Sequence, residues 1–408
     1  MTRPLRVLLA KPVLPYPPDQ GTRVVSTAII EALADTHDVT VLARVLDRGE
    51  EAAVRELEAR CARVVTVFPR NRRSQAARAA YRAGYALQSL LTGRSMKALY
   101  DCPGAFVRAA RALAREPFDL VILEYWQLYP LLDVFRAHRT VLLTHDIDLV
   151  VNRQRALLEE GLVAGALALR RWRTERRDEL RAYRRARDIW ALTDRDALSA
   201  RTLSGGRARA GVLPFGLRES QFARATGARD SREVLFLGAM GAAFNRDALA
   251  HLSRDIYPLL AGIDGIRFTV VGGALPPSLS FFGAYRNVEV VGHVRDVSPF
   301  LARCACLIVP LRYGGGLRIR ILEAIAAGVP VVASPVAIEG MRLEPERHVL
   351  VAASPADYRR QIERVLFDRP AVESLVRDAQ AHVRETYGPS ARTAGIRSAV
   401  AALIGSAS

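Results

Sequence analysis

The chain has 408 residues, half of them apolar, with 59 lysines and arginines against 42 aspartates and glutamates. That length suits two domains, and the ordinary glycine, proline and apolar content excludes a largely disordered or collagen-like chain. The net charge of +17 admits nucleic acid, an anionic membrane surface or phosphorylated small molecules as partner. Only Lys11 and Lys97 among the cations are lysines, and the planar guanidinium of the rest is well suited to phosphate.

Short apolar runs alternate with amphipathic segments along most of the sequence. Strands are predicted near Leu5–Ala10, Val39–Ala43, Val64–Phe68, Leu120–Leu123, Thr140–Leu143 and Ile189–Leu192, with helices such as Val24–Ala34 and Ala105–Ala114 between them. A loop-rich crossing is predicted at Gly211–Arg232. A second set of strands follows near Val234–Leu237, Phe268–Val271, Val288–Val291, Leu307–Val309, Val331–Ala333 and Val349–Val351, and Pro355–Ala402 reads as helical. This repeated alternation predicts an α/β fold with two doubly wound parallel sheets facing a cleft. The expected limits are 1–210 for an N-terminal domain, 211–385 for a C-terminal domain and 386–408 for a last helix positioned to pack back on the first domain.

Four cysteines are too few for a disulfide scaffold, and Cys304 and Cys306 lack the second pair a zinc site needs. Only four apolar residues separate Arg6 from Lys11, and apolar or glycine runs elsewhere, such as Gly161–Leu169, are far too short to span a bilayer. Neither a secretory leader nor a membrane span is therefore expected, and the chain reads as cytoplasmic.

In open α/β sheets, ligands sit beyond the carboxyl ends of the strands. Gly21, His145 with Asp146, Gly238, Gly272 with Gly273, and Arg312–Gly316 all follow predicted strands. The richest stretch runs from Pro310 to Ser334: strand, three glycines, helix, glycine stop, strand. Gly314, Gly315 and Gly316 allow backbone amides to approach a ligand, and the following helix aims its positive end at the same point. Arg318 and Arg320 can grip a diphosphate, while Glu323 can accept hydrogen bonds from a ribose diol. No G-x-G-x-x-G or G-x-x-x-x-G-K-[ST] pattern occurs, which speaks against dinucleotide and Walker-type sites.

These residues, with Leu322-Glu323-Ala324 and Gly328-Val-Pro-Val-Val, resemble the donor-binding segment of glycosyltransferase family 4, the retaining GT-B enzymes. The likeness extends to Pro17–Gly21, Phe236–Met240 with Asn245, Val270–Gly273, Val291–Asp296 and Glu339-Gly340. It implies a GT-B fold of two Rossmann-like domains. It also implies transfer of a sugar from a nucleotide-diphosphate sugar to an acceptor hydroxyl with retention, without a cofactor or metal. Arg318 and Arg320 would neutralise the diphosphate, Glu323 would hold the ribose and Val294 would meet the base. Gly21 would close over the phosphates, Gly238, Gly314, Gly315, Gly316 and Leu322 would complete the donor site, and His145 would stand near the transferred sugar and acceptor. The family's Glu-x7-Glu pattern has its first member at position 315, which is glycine here, and Arg320 replaces the usual lysine. A catalytically silent nucleotide-sugar-binding or scaffold protein and a GT-B epimerase are the competing functions.

Residues 1–210 hold 36 basic and 24 acidic residues. From Ala59 to Tyr100 there are nine basic residues and no acid, among them Arg70, Arg72, Arg73, Arg78 and Arg82, interleaved with aromatics. This pattern predicts an acceptor or anionic-membrane surface, the acceptor being a sugar, a lipid-linked group or a cell-surface glycan precursor. Nine arginines between Arg170 and Arg187 read equally well as a solvated helix face. No nucleic-acid-binding signature accompanies the charge.

Overall fold

The computed structural model describes residues 3–46, 48–68, 75–158, 162–222 and 232–405. Arg70, Arg72 and Arg73 lie outside the described residues, as do the side chains of Arg78 and Arg82.

Seven strands form the first sheet: β1 (Arg6–Lys11), β2 (Asp38–Arg44), β3 (Arg63–Val67), β4 (Leu120–Glu124), β5 (Thr140–Leu143), β6 (Asp188–Ala191) and β7 (Arg209–Val212). Six form the second: β8 (Glu233–Leu237), β9 (Arg267–Val271), β10 (Val288–Gly292), β11 (Cys306–Val309), β12 (Val331–Ala333) and β13 (Leu350–Val351). Their orders are β3-β2-β1-β4-β5-β6-β7 and β10-β9-β8-β11-β12-β13. Adjacent strands are parallel throughout. Central strands such as Leu120–Glu124 and Glu233–Leu237 are buried along their whole length, as strands covered by helices on both faces must be. The doubly wound architecture expected from the sequence is present twice.

Each sheet reverses its winding once, between β1 and β4 and between β8 and β11. A crevice opens at such switch points beyond the carboxyl ends of the strands. The register that pairs Ala10 with Leu123 sets Lys11, at the end of β1, beside Glu124, at the end of β4. In the second sheet the same position receives Gly238 after β8 and the glycine loop after β11.

The crossing predicted at Gly211–Arg232 begins instead as strand, because Arg209–Val212 pairs along β6 as an edge. Its interior glycine and half-exposed positions hide the apolar signal. The first sheet thus runs to Val212 rather than ending at 210, and the helix Arg369–Tyr387 runs past 385.

The C-terminal residues hold this crossing. Leu217 N–H donates to Tyr387 O (2.7 Å), and Arg392 Nη1 donates to Gly216 O (3.1 Å). Arg392 and Arg218 both pair with Glu31 on the helix Gly21–Ala34. Burial pushes Glu31 upward, but these two guanidiniums hold its carboxyl below its ordinary range. Arg397 Nε donates to Ala32 O (2.6 Å), and the helix Ile396–Gly405 packs along the first domain.

Gly216 is enclosed by backbone: a Cβ there would run into Arg392 N and Gly388 O and come within 2.9 Å of Arg392 Cα. Gly216→Val should therefore destabilise the protein by about 1–3 kcal/mol, the usual range for overpacking. A wild-type melting temperature in scanning calorimetry would contradict the clamp.

Candidate functional site

The glycine loop lies directly beneath the first domain. A Cβ on Gly316 would strike His145 O. One on Gly315 would come within 2.9 Å of Val151 Cγ2 and 3.2 Å of Asp146 Cβ. Gly316 also has φ 71°, the left-handed region that glycine occupies without strain. Position 315 thus has no room for a glutamate in this arrangement, because the helix Asp148–Leu158 fills that space. From the same helix, Gln154 Oε1 accepts from Gly314 N–H (3.3 Å). Gly21 reaches the second domain at Ile319, whose Cδ1 lies 3.6 Å from the place of a Gly21 Cβ.

Arg318 stands at the N-cap of the helix Ile319–Ala326, and Arg320 lies in its first turn. Arg318 Nη1 donates to Gly316 O (3.4 Å), and its guanidinium lies 5.7 Å from the centre of the Phe244 ring. Arg320 Nη1 donates to Leu237 O (2.7 Å) and Asn245 Oδ1 (2.8 Å), beside Gly238. The Nε atoms of both are buried without a partner. Among the described residues, neither guanidinium has a carboxylate within ion-pair distance. Burial lowers both pKa values: Arg318 is partly supported by Asp146 and Asp196, whereas Arg320, next to Arg318, falls to about 9. Two neighbouring half-buried cations without a carboxylate at ion-pair distance carry a desolvation cost, and an anion between them would offset it.

Glu323, one turn further, is half-buried and accepts from Gln221 Nε2 (3.0 Å). Burial pushes its carboxyl up to about 7, against the pull of that hydrogen bond. Val294 follows β10 and is half-buried against the core. Leu322 is fully buried in the hydrophobic core, so its side chain supports the helix from below and does not face the cleft.

Across the cleft, His145 is buried at the end of β5. Its Nε2 lies 2.9 Å from Glu124 Oε2. Glu124 Oε2 also takes Lys11 Nζ (3.1 Å) and Ser26 Oγ–H (2.8 Å), while Lys11 donates to Thr22 O (2.7 Å) and to Ser26 Oγ. Burial raises Glu124, but Lys11, His145 and Ser26 outweigh it and bring its pKa to about 2. Burial lowers the His145 pKa against the opposing pull of Glu124. The ionised carboxylate fixes a proton on Nε2, leaving Nδ1 as a buried acceptor without a partner. Tyr125 stacks on the imidazole at 4.6 Å and holds φ 77°, a conformation that costs a bulky residue on the order of 1–3 kcal/mol.

Arg318, Arg320, Glu323, Gly238 and the glycines are therefore gathered on one wall, with His145 and Gly21 on the other. Lys11, Glu124, Ser26, Tyr125 and Gln221 were not legible as site residues. A faint signal existed: Lys11 and Glu124 are charges closing otherwise apolar strands. Among the described residues, no three His, Cys, Asp or Glu side chains are placed to hold a metal, and no helix is long and apolar enough to cross a membrane.

Residues 231–368 match the family model described as glycosyl transferases group 1, which bears out the resemblance noted in the sequence. No curated protein matches the chain. Its fold is similar to sucrose-phosphate synthase from Thermosynechococcus elongatus, with a TM-score of 0.74 and 16% identity over 99% of this chain and 100% of that one. It is also similar to HepE from Anabaena, solved in complex with UDP and glucose, with a TM-score of 0.69 and 14% identity over 98% of this chain and 100% of that one. Trehalose 6-phosphate synthase from Burkholderia multivorans gives a TM-score of 0.63 and 12% identity over 98% and 100% of the two chains. The GT-B fold expected above is thus the fold observed.

The raised Glu323 pKa has a consequence for stability. Its folded value of about 7 stands above the ordinary 4.5, so the folded chain keeps a proton that the unfolded chain releases. This contribution is full below about pH 4.5 and is lost as pH rises through 7. Glu323→Gln should match the wild type in urea unfolding at pH 4 and exceed it at pH 8, by on the order of 1 kcal/mol for a partly screened carboxyl.

Proposed function

We propose that the protein is a retaining glycosyltransferase that moves a sugar from a nucleotide-diphosphate sugar to an acceptor hydroxyl. The observation that carries this reading is the pair of half-buried guanidiniums, each with a buried unpartnered Nε and no carboxylate at ion-pair distance among the described residues, at the mouth of a glycine loop and a helix N-terminus. The group 1 family match over the same stretch supports it. HepE, solved with UDP-glucose, has a similar fold.

In this reading Arg318 and Arg320 hold the diphosphate, and the helix N-terminus adds its positive end to stabilise the charge that develops as the sugar leaves. Gly21, Gly238 and Gly314–Gly316 let backbone approach the phosphates. Glu323, deprotonated, accepts from the ribose hydroxyls, and Val294 lies against the base. His145 offers Nδ1 as an acceptor near the reacting carbon, with Glu124 and Lys11 fixing its orientation. The departing phosphate oxygen takes the acceptor's proton on the face the nucleotide leaves, so neither a metal nor a paired carboxylate is required. The close domain contact at the glycine loop shields the charges in part from bulk water.

We also assign the acceptor to the first domain, with a sugar or lipid-linked group as its chemistry, and the protein to the cytoplasmic face of an anionic membrane. All nine arginines from Arg170 to Arg187 are exposed, while Glu175, Asp178 and Glu179 point inward. Leu87, Leu90 and Leu91 are exposed near this helix, where Arg177 Nη1 reaches Gly93 O at 3.5 Å. Exposed leucines beside arginines suit an interfacial surface.

Thermal shift against UDP-, GDP-, ADP- and dTDP-sugars should show stabilisation by at least one, since ligand-induced stabilisation follows concentration over Kd. Arg318→Ala should weaken binding of that ligand by about 1.5–3 kcal/mol, roughly ten- to 150-fold. Wild-type affinity in this variant would refute the site assignment. In liposome co-sedimentation, recovery should rise with anionic lipid; equal recovery on neutral and anionic vesicles would remove the membrane assignment.

A further inference from the structure

Asp146, next to His145, has no task in the donor reading. Its Cβ lies over the glycine loop, 3.2 Å from the places a Cβ would take on Gly315 and Gly316. Other acids nearby are engaged. Asp148 Oδ2 accepts from Trp126 Nε1 (2.7 Å) and Gln127 Nε2 (3.3 Å) and pairs with Lys97. Asp196 Oδ2 accepts from Thr193 Oγ1 (2.8 Å). Asp146 takes a hydrogen bond only at its backbone oxygen, from Thr144 Oγ1 (2.6 Å), and its carboxylate has no partner among the described residues. Across the cleft it faces Arg318, close enough for each to act on the other's charge, yet they do not close an ion pair. Burial first, and then Asp148, push its carboxyl up to about 7, so a group that donates hydrogen bonds to it would be welcome.

We propose that Asp146 determines specificity for the transferred sugar, its carboxylate accepting hydrogen bonds from that sugar's hydroxyls in the gap it shares with Arg318. This rests on the donor reading. The place of the sugar follows from that of its phosphates: a sugar joined to a diphosphate held by Arg318 must lie within reach of the groups facing Arg318. Residue 315 cannot take this part, having no side chain and no space for one. A carboxylate on the opposite wall, entering from β5, can. A site built to hydrogen-bond a hydroxyl also discriminates strongly against substrates lacking it, because its own polar group is then left unpaired. The competing structural role is a latch, in which Asp146 closes on Arg318 when the domains meet and reads no sugar.

The two roles separate when bare and sugar-bearing nucleotides are compared. Titration calorimetry of wild type, Asp146→Asn and Asp146→Ala would use UDP with UDP-glucose, ADP with ADP-glucose, GDP with GDP-mannose and dTDP with dTDP-glucose. For the pair that the wild type binds, Asp146→Ala should weaken the sugar nucleotide tenfold or more. It should leave the bare diphosphate within about twofold, with Asp146→Asn between. Melting curves no lower than the wild type's would show that both variants fold. Equal weakening of both ligands indicates the latch and overturns the proposal; so does unchanged affinity for both. Failure of the wild type to bind any of these eight ligands would overturn the donor reading, and this inference would fall with it.

Discussion

The structure depends on how closely two backbones approach at the glycine loop. A methyl group on Gly316 would meet a carbonyl of the opposite domain, and one on Gly315 would meet Val151 and Asp146. The domains can meet in this way only because neither position carries a side chain. That closeness brings the unpaired Arg318 near Asp146 and places His145 over the loop. It also gives a steric reason for the glycine at 315, where family resemblance alone would expect an acid.

Charge is handled differently on the two walls. In the first domain, Lys11, Glu124 and His145 are fully or nearly buried and satisfy one another through a single carboxylate oxygen. In the second, Arg318 and Arg320 have only neutral oxygens as partners. The first arrangement balances its charges internally and fixes geometry, with Glu124 Oε1 and His145 Nδ1 left as unpartnered acceptors; the second has no carboxylate at ion-pair distance among the described residues. The large net charge therefore has little to do with the site, which uses only a few of the cations. Several others share distant acids as ion-pair partners: Arg63 and Arg6 share Glu116, Arg60 and Arg218 share Glu31, and Lys97 pairs with Asp148. The acid-free run from Ala59 to Tyr100 is thus less positive in space than it is along the chain.

The fold was legible because buried parallel strands are continuous apolar runs separated by amphipathic helices. β7 was missed because Arg209-Ala-Gly-Val, a half-exposed edge, lacks that pattern. The donor wall was legible because its glycines, arginines and glutamate fall within ten residues, from Gly314 to Glu323. Of the opposite wall only Gly21 and His145 were legible, since Lys11, Ser26 and Glu124 are brought beside His145 by strand order rather than by spacing. Leu322 matched the family pattern at the right place yet has its side chain in the core, so a motif position did not by itself indicate a contact.

The chain passes between its domains twice, once at Gly216 and again where the residues after Tyr387 return to the helix Gly21–Ala34. Leu217 N–H to Tyr387 O ties the two passages together. A body attached at two points can turn only about the line through them. Mechanically, then, the cleft is a door on a hinge with two knuckles. Such a hinge would oppose sliding and twisting of the domains and so favour the one arrangement in which Asp146 and His145 stand over the glycine loop.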